Sequence, residues 1–267
     1  MSIQFLWPEG KTKALTLSYD DGWIYDERLI GIFNRFGLKS SFHLNSGLYD
    51  SGSKNRPVFD IPKLRKLYAG HEISCHTVTH PTMTKIPDTE IIREVFLDRL
   101  ELEKLAGYPV VGMSYPMGDY DPRVISILQA AGIACCRTVK ASGNFALPED
   151  FLAWHPTCHH NQALEYADKF LNEYHVMVLF MVWGHSHEFE HKGNWELIEQ
   201  FARTVSGRDD VWYATNIEIC RYVTALRSLV GSADGTIFFN PSALPVWVRN
   251  GQESAVPIAP GETKVFS

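Results

Sequence analysis

Short apolar runs alternate with segments of helical spacing along most of this chain, and this alternation constrains the fold more than any other feature. The candidate strands are residues 14–19, 39–44, 72–75, 110–115, 133–139, 176–182 and 211–213. The candidate helices are residues 26–36, 61–68, 88–105, 121–131, 163–174, 194–205 and 216–229. Seven strand–helix units in succession predict an α/β fold whose parallel sheet is closed, or nearly closed, into a barrel.

The last part of the chain has a different pattern. Its short runs are residues 236–239, 245–248, 255–258 and 264–266, and they alternate with Asn-Pro-Ser, Asn-Gly and Pro-Gly turn signals. We therefore predict two parts: a (β/α) barrel domain over residues 1–230, and a short C-terminal β extension over residues 231–267 that packs on the barrel.

Composition and charge exclude several classes of protein. Of the 267 residues 45% are apolar, which is enough for a sizeable core and argues against disorder. A net charge of −6 gives no sign of a nucleic-acid partner. The longest apolar run, residues 176–184, is far too short to span a bilayer, so we expect no membrane partner. A homo-oligomer is compatible with all of these features.

The cysteines and the N-terminal residues bear on the cellular compartment. The five cysteines are odd in number and lie mostly in apolar surroundings, which indicates reduced, buried thiols. Residues 1–10 have neither a basic start nor a long apolar segment, so no signal peptide is visible. Both observations favour a cytoplasmic protein.

Two acidic residues, Asp20 and Asp21, end the first candidate strand, and two histidines, His76 and His80, follow the third. Neighbouring strand residues point to opposite faces, so one aspartate could bind a metal ion while the other stays uncoordinated. The histidines are four residues apart, so one helical turn would place both imidazoles on the same side. One carboxylate and two imidazoles form a ligand set for a zinc-type ion, and the second carboxylate is free to act as a base. A plain Asp-Asp-Gly turn and a surface histidine pair are the structural alternatives.

Two later segments carry further candidate groups. The run Ser114-Tyr-Pro-Met-Gly118 follows a strand, and a backbone N–H of this loop could serve as an oxyanion donor. His185 is the first histidine after the apolar run that begins at Val176, and it could protonate a leaving group. A structural or metal-binding role for His185 and His187 is the alternative. All of these groups lie at the C-terminal ends of predicted strands, where the catalytic groups of such barrels lie.

Taken in order, these segments resemble the motifs of the polysaccharide deacetylase family, also called carbohydrate esterase family four. The motifs are Ser18-Tyr-Asp-Asp-Gly22, His76-Thr-Val-Thr-His80, Tyr115-Pro-Met-Gly118 and Trp183-Gly-His185. The resemblance covers residues 12–215, and its first two motifs are the specific ones. It implies a distorted barrel with fewer than eight units.

The resemblance also implies roles for individual residues. It implies a zinc-type ion, with cobalt or another transition metal as alternatives, held by Asp21, His76 and His80. It makes Asp20 the general base, His185 the general acid and the Tyr115 backbone N–H the oxyanion donor.

The chain departs from the family pattern at two places. Ser114 stands where the third motif usually begins with an arginine that steadies the catalytic aspartate. Arg137, on the next strand, is the candidate substitute, because a buried arginine must pair with a carboxylate. An Arg137 that faces solvent is the alternative. The Asp-Trp element expected soon after that strand is missing, and Glu188 is the remaining candidate to orient His185.

The sequence thus predicts a metal-dependent deacetylase that acts on an N- or O-acetylated sugar or oligosaccharide. Two alternatives stay open. One is a hydrolase of small non-peptide amides of the ureide type on the same fold. The other is an inactive carbohydrate-binding relative, which the missing arginine at Ser114 would explain.

Overall fold

The computed structural model describes residues 3–266. The strands are β1 (Ile3–Leu6), β2 (Lys13–Asp20), β3 (Ser40–Leu44), β4 (Glu72–Cys75), β5 (Gly112–Ser114), β6 (Cys135–Arg137), β7 (Cys158–His159), β8 (Val178–His185), β9 (Val211–Tyr213), β10 (Val230–Gly231), β11 (Ile237–Phe239), β12 (Val246–Asn250), β13 (Val256–Ile258) and β14 (Thr263–Val265). The helices are α1 (Asp26–Arg35), α2 (Ile61–Leu67), α3 (Asp88–Ala106), α4 (Pro122–Ala130), α5 (Ala163–Leu171), α6 (Ser186–Lys192), α7 (Trp195–Val205) and α8 (Asn216–Arg227).

The central sheet is parallel and curls into a distorted (β/α) barrel, as the alternation predicted. Its strand order is β6-β5-β4-β3-β2-β8-β7, and β9 pairs with the first half of β2. A parallel bridge between Arg137 and Trp154 joins the β6 edge to the segment that leads into β7. The two edges of the sheet are therefore brought together, and the barrel is nearly closed.

The two faces of β2 have different environments, which explains why all eight of its residues are buried. Leu15, Leu17 and Tyr19 belong to the large core that lies between the sheet and the surrounding helices. Thr16 and Ser18 point to the other face, which is occupied by polar side chains and closed by α8. There Thr16 Oγ1 donates to Asn216 Oδ1 at 2.8 Å, and Asn216 Nδ2 donates to Ser18 Oγ at 3.2 Å.

Four elements were not expected from the sequence, namely β1, β7, β10 and α6. Strand β7 has only two residues, which is too short for a periodic pattern to be visible. Helix α6 begins directly after β8, so no turn signal separates it from that strand. Strand β1 contains the alternating segment Ile-Gln-Phe-Leu and pairs antiparallel with β12. The seven predicted helices are all present, with ends shifted by up to three residues.

The C-terminal residues form antiparallel strands at each of the four predicted runs. Strands β1, β12 and β13 make one small sheet, and β10, β11 and β14 make another. Because β1 contributes to the first of these sheets, the N-terminal strand packs with the C-terminal region. The division into residues 1–230 and 231–267 stays a prediction.

Two expectations about the whole chain can be compared with the described residues. The five cysteines are free and buried, as predicted. Within residues 3–266, no helix combines the length and the apolar character needed to cross a bilayer.

Tyr222 of α8 links the barrel to the C-terminal strands, and its substitution tests this link. Its hydroxyl donates to the Leu6 carbonyl at 2.5 Å and accepts from the Trp247 amide at 3.0 Å. The Tyr222→Phe variant should lose about 1–3 kcal/mol of unfolding free energy, because it leaves these backbone groups without a partner. Chemical denaturation would measure the loss. Tyr174→Phe, at an exposed position, is the matched control, and equal stabilities of the two variants would contradict the link.

Candidate active site

Predicted site residues from several strands meet at the C-terminal end of the barrel. Strand β2 ends at Asp20 and β8 ends at His185, and these two residues are register partners. Strand β4 ends one residue before His76, and β6 ends at Arg137. Their side chains therefore open onto one end of the sheet, where the candidate site lies.

Asp21, His76 and His80 form a compact group of metal-ligand type. Asp21 Oδ1 lies 3.6 Å from His76 Nε2 and 3.8 Å from His80 Nε2. One donor atom from each of the three lies within 4.8 Å of the others. One carboxylate and two imidazole nitrogens at this spacing fit a zinc-type ion and leave positions for water and substrate.

The backbone brings these groups together in a different way from the prediction. Residues 76–80 do not form a helical turn: Thr77 and His80 have φ values of 67° and 60°, in the left-handed region. Asp21 also has a positive φ, 80°, so the strand alternation ends at Asp20. The two aspartates therefore do not point to opposite faces. Both approach His76 Nε2, from which Asp20 Oδ2 lies 4.0 Å.

Side chains from other elements hold the loop after β4 in this conformation. Asn45 Nδ2 donates to the Thr77 carbonyl at 2.9 Å. Asp98 of α3 accepts from the His76 amide at 3.0 Å, and burial raises the pKa of Asp98 to about 6. Glu94, one turn earlier on α3, accepts from the amide and the hydroxyl of Thr79, both at 2.8 Å. The sequence analysis missed these residues, although two acidic residues four apart on a helix would have been a usable signal.

Hydrogen bonds fix the orientation of His76. Its Nδ1 donates to the Ser114 carbonyl at 2.8 Å, so the lone pair of Nε2 faces Asp21. Burial lowers the pKa of His76, although Asp20 and Asp21 partly oppose the shift. The ring is therefore held as a neutral imidazole, which is the form that binds a metal ion.

Asp20 is held by Arg137, the predicted substitute for the missing arginine. Arg137 is 1% exposed, and its Nη2 donates to Asp20 Oδ2. The solvent-facing alternative for Arg137 is therefore wrong. Ser114 Oγ donates to Asp20 Oδ1 at 3.1 Å, so the residue at the usual arginine position also contacts this carboxylate. Burial by itself would raise the pKa of Asp20, but Arg137 and then His76 bring it well below its ordinary value.

His185 is oriented by Glu188. Its Nδ1 lies 2.9 Å from Glu188 Oε1. Burial would lower the pKa of His185, but this hydrogen bond and the charges of Asp20 and Asp21 raise it above its ordinary value. His187 lies in α6 and packs on the Trp23 ring with a centroid distance of 4.5 Å. Of the two histidines, His185 is the one that pairs with Glu188.

The prediction for Tyr115 was wrong. Its backbone N–H donates to the Arg137 carbonyl at 3.0 Å in the β ladder, so it is not a free oxyanion donor. The Tyr115 ring is buried, and its hydroxyl donates to the Leu152 carbonyl at 2.7 Å. The motif pattern gave no indication that this amide continues the sheet.

Trp23 is a site residue that the motifs did not indicate. Its Nε1 donates to Asp21 Oδ2 at 3.1 Å. The Arg56 guanidinium lies 4.0 Å from the centroid of the Trp23 ring, and Arg56 also donates to the Asp21 carbonyl. Asp21 thus has both its side chain and its backbone held by neighbours.

The fold and the site together define a (β/α) barrel with a His₂Asp donor group at the C-terminal end of its strands. The model of the polysaccharide deacetylase family matches residues 8–136. With its four motifs in order, the chain is similar to the polysaccharide deacetylase family over this part of its length.

Relatives with known names are distant in sequence. Chitin deacetylase 1 of Cryptococcus neoformans var. grubii is 28% identical over 165 residues, which are 59% of this chain and 33% of that protein. The chain thus matches about a third of the length of this curated relative.

Solved structures share the fold. A Mycobacterium smegmatis structure assigned to the polysaccharide deacetylases has a TM-score of 0.61 at 19% identity, covering 83% of this chain and 93% of that one. The chitin deacetylase of Colletotrichum lindemuthianum has a TM-score of 0.56 at 18% identity, covering 78% and 88%. A CE4 family pseudoenzyme of Bacillus anthracis has a TM-score of 0.51 at 14% identity, covering 81% and 68%.

The role of α3 in holding the site can be tested at Glu94. In Glu94→Gln one carboxylate oxygen becomes an NH₂ group, which cannot accept from Thr79. We expect roughly tenfold faster amide exchange in residues 76–80, since a hydrogen bond to a charged group contributes about 1.5–3 kcal/mol. Hydrogen–deuterium exchange with mass spectrometry would measure it. Glu90→Gln is the matched control, because Glu90 pairs with Arg93 on the exposed side of α3. Unchanged exchange in Glu94→Gln would contradict this role.

Proposed function

We propose that this chain is a metal-dependent hydrolase that removes acetyl groups from a carbohydrate. The observation that carries the proposal is the contrast between the two adjacent aspartates. Asp21 groups with His76 and His80, whereas Asp20 lies beside this group with both of its oxygens engaged by Ser114 and Arg137. A carboxylate among the metal ligands and a second, uncoordinated carboxylate that can act as a base suit metal-assisted hydrolysis.

The donor group fits zinc, and the same ligands would accept cobalt or another transition metal. Bound at Asp21, His76 and His80, such an ion would polarise an acetyl carbonyl and acidify a water molecule. The Ser114 carbonyl accepts from His76 Nδ1 and so leaves Nε2 as the nitrogen available for this role.

Asp20 accepts the proton of the attacking water in this proposal. Arg137 keeps the carboxylate ionised and fixes its direction. Ser114 holds the other oxygen, so the carboxylate cannot rotate freely. Loss of a positioned base of this kind costs about 10²–10⁴-fold in rate.

His185 donates a proton to the departing amine or alkoxide. Its raised pKa keeps the imidazole protonated closer to neutrality, and Glu188 on Nδ1 leaves Nε2 as the donating atom. The protonated group departs as a neutral amine or alcohol. Without this proton an amide or ester bond is not cleaved readily.

An acetylated sugar or oligosaccharide is the proposed substrate because the matching family model is that of the polysaccharide deacetylases and the 28% identical relative is a chitin deacetylase. An N-acetyl and an O-acetyl group both suit the chemistry described. Arg137 supplies the guanidinium that the Ser114 position lacks, which removes the reason for an inactive relative. The cytoplasmic location and a homo-oligomer stay expectations.

The proposal is tested by acetate release from N-acetylated and O-acetylated sugars and oligosaccharides, with added zinc or cobalt and with a chelator. We expect metal-dependent release that Asp20→Asn reduces by at least about 10²-fold while the metal content is retained. Asp209→Asn, at an exposed position, is the control for loss of a surface charge. Release of ammonia from ureides in place of acetate would show that the small-amide alternative is correct. Metal binding without turnover of either substrate class would favour the inactive relative.

The ligand set is tested separately by metal content. His80→Ala should bind zinc at least about 100-fold more weakly than the unmodified chain, since it removes one of three donors. Metal content after dialysis against graded free zinc would measure this. His175→Ala is the control, because His175 is an exposed histidine that pairs with Glu173. A full equivalent of tightly held zinc in His80→Ala would remove His80 from the ligand set.

A further inference from the structure

We propose that the chain has a second metal-binding site, formed by His159, His185 and Glu188, and that a metal ion bound there withholds His185 from catalysis. The binding part of this proposal is independent of the proposed function. Only the inhibitory consequence rests on it, because that consequence requires His185 to act as the general acid.

The three side chains converge from three neighbouring elements. His159 ends β7, His185 ends β8, and Glu188 lies in the first turn of α6. Glu188 Oε1 is 2.9 Å from His185 Nδ1 and 3.1 Å from His159 Nε2. One donor atom from each lies within 4.8 Å of the others, as in the group of Asp21, His76 and His80. Two imidazoles and one glutamate form a ligand set that zinc uses in proteins.

His160 gives a second, independent indication of a ligand. It is 1% exposed, and neither of its ring nitrogens has a hydrogen-bond partner among the described residues. Its Nε2 lies 3.7 Å from Glu188 Oε2. Buried polar groups without a partner are uncommon. A Cβ at Gly184 would lie 1.9 Å from His160 Nδ1, so the glycine at this position makes room for the imidazole.

Lys192 limits the affinity of this site. Its Nζ lies 2.7 Å from Glu188 Oε2, and it brings a positive charge close to any bound cation. The Lys192 side chain is 46% exposed, so it can move into solvent. We therefore expect the second site to bind zinc more weakly than the group of Asp21, His76 and His80, whose donor oxygen has no lysine or arginine paired with it among residues 3–266.

Occupancy of the second site conflicts with the acid role of His185. A metal ion on Nδ1 displaces the proton that this nitrogen shares with Glu188. The doubly protonated imidazolium then cannot form, so His185 has no acidic proton to donate. The first equivalent of metal should therefore activate the enzyme, and excess metal should inhibit it.

Zinc binding to the full chain tests the site directly. We expect two equivalents at saturating free zinc, of which the weaker one disappears in His159→Ala and in His159→Gln. In His80→Ala the weaker equivalent should persist, and Co²⁺ should still give the visible absorption of a histidine-ligated ion. Thermal unfolding of the His159 variants controls for misfolding. A single equivalent in the unmodified chain, or two equivalents in both His159 variants, would overturn the site.

Acetate release at graded zinc concentrations tests the consequence. We expect activity to fall by more than half at the zinc concentration that fills the weaker site, and the fall to be largely absent in His159→Gln relative to its own maximum. Filling of the weaker site with undiminished activity would overturn the inhibitory role. If no acetate is released at any zinc concentration, the proposed function fails, while the zinc stoichiometry still decides whether the second site exists.

Discussion

The buried ion pair between Asp20 and Arg137 is the interaction on which the candidate site depends. In sheet order β6 lies four positions from β2, so this contact runs across the barrel interior and requires the sheet to curl. Removing one partner of such a pair costs about 3–5 kcal/mol, because the other charge stays buried without compensation. The same interaction thus constrains both the curvature of the barrel and the charge state of the candidate base.

Polar side chains beneath this pair make its burial tolerable. Arg137 Nε donates to Ser18 Oγ at 3.0 Å, and Ser18 also contacts His43 and Asn216. Asn216 is the first residue of α8, so the N-terminus of this helix closes the polar interior from below. A barrel filled only with apolar side chains would leave the guanidinium with unsatisfied donors, at a cost of about 1–3 kcal/mol or more for each charged group.

The features that depend on periodicity and short motifs could be predicted from the sequence. The features that depend on contacts between distant residues could not. The strand and helix periods located the sheet, and the motifs located the donor residues. The spacing of His76 and His80 is also compatible with a helical turn, and the correct conformation depends on contacts with Asp98 and Glu94, which are distant in sequence. The amide of Tyr115 was misassigned for a similar reason, since its partner lies on another strand.

The different roles of two adjacent aspartates follow from their surroundings. A guanidinium on Asp20 Oδ2 and a hydroxyl on Oδ1 each take up one lone pair of this carboxylate, and the guanidinium places a fixed positive charge beside it. Asp21 Oδ1 instead faces two imidazole nitrogens, and only its Oδ2 is engaged, by Trp23. Moving a cation to Asp20 would place it beside a fixed positive charge, which electrostatics opposes at such short range. The position of Arg137 therefore favours Asp21 as the proposed ligand and Asp20 as the proposed base.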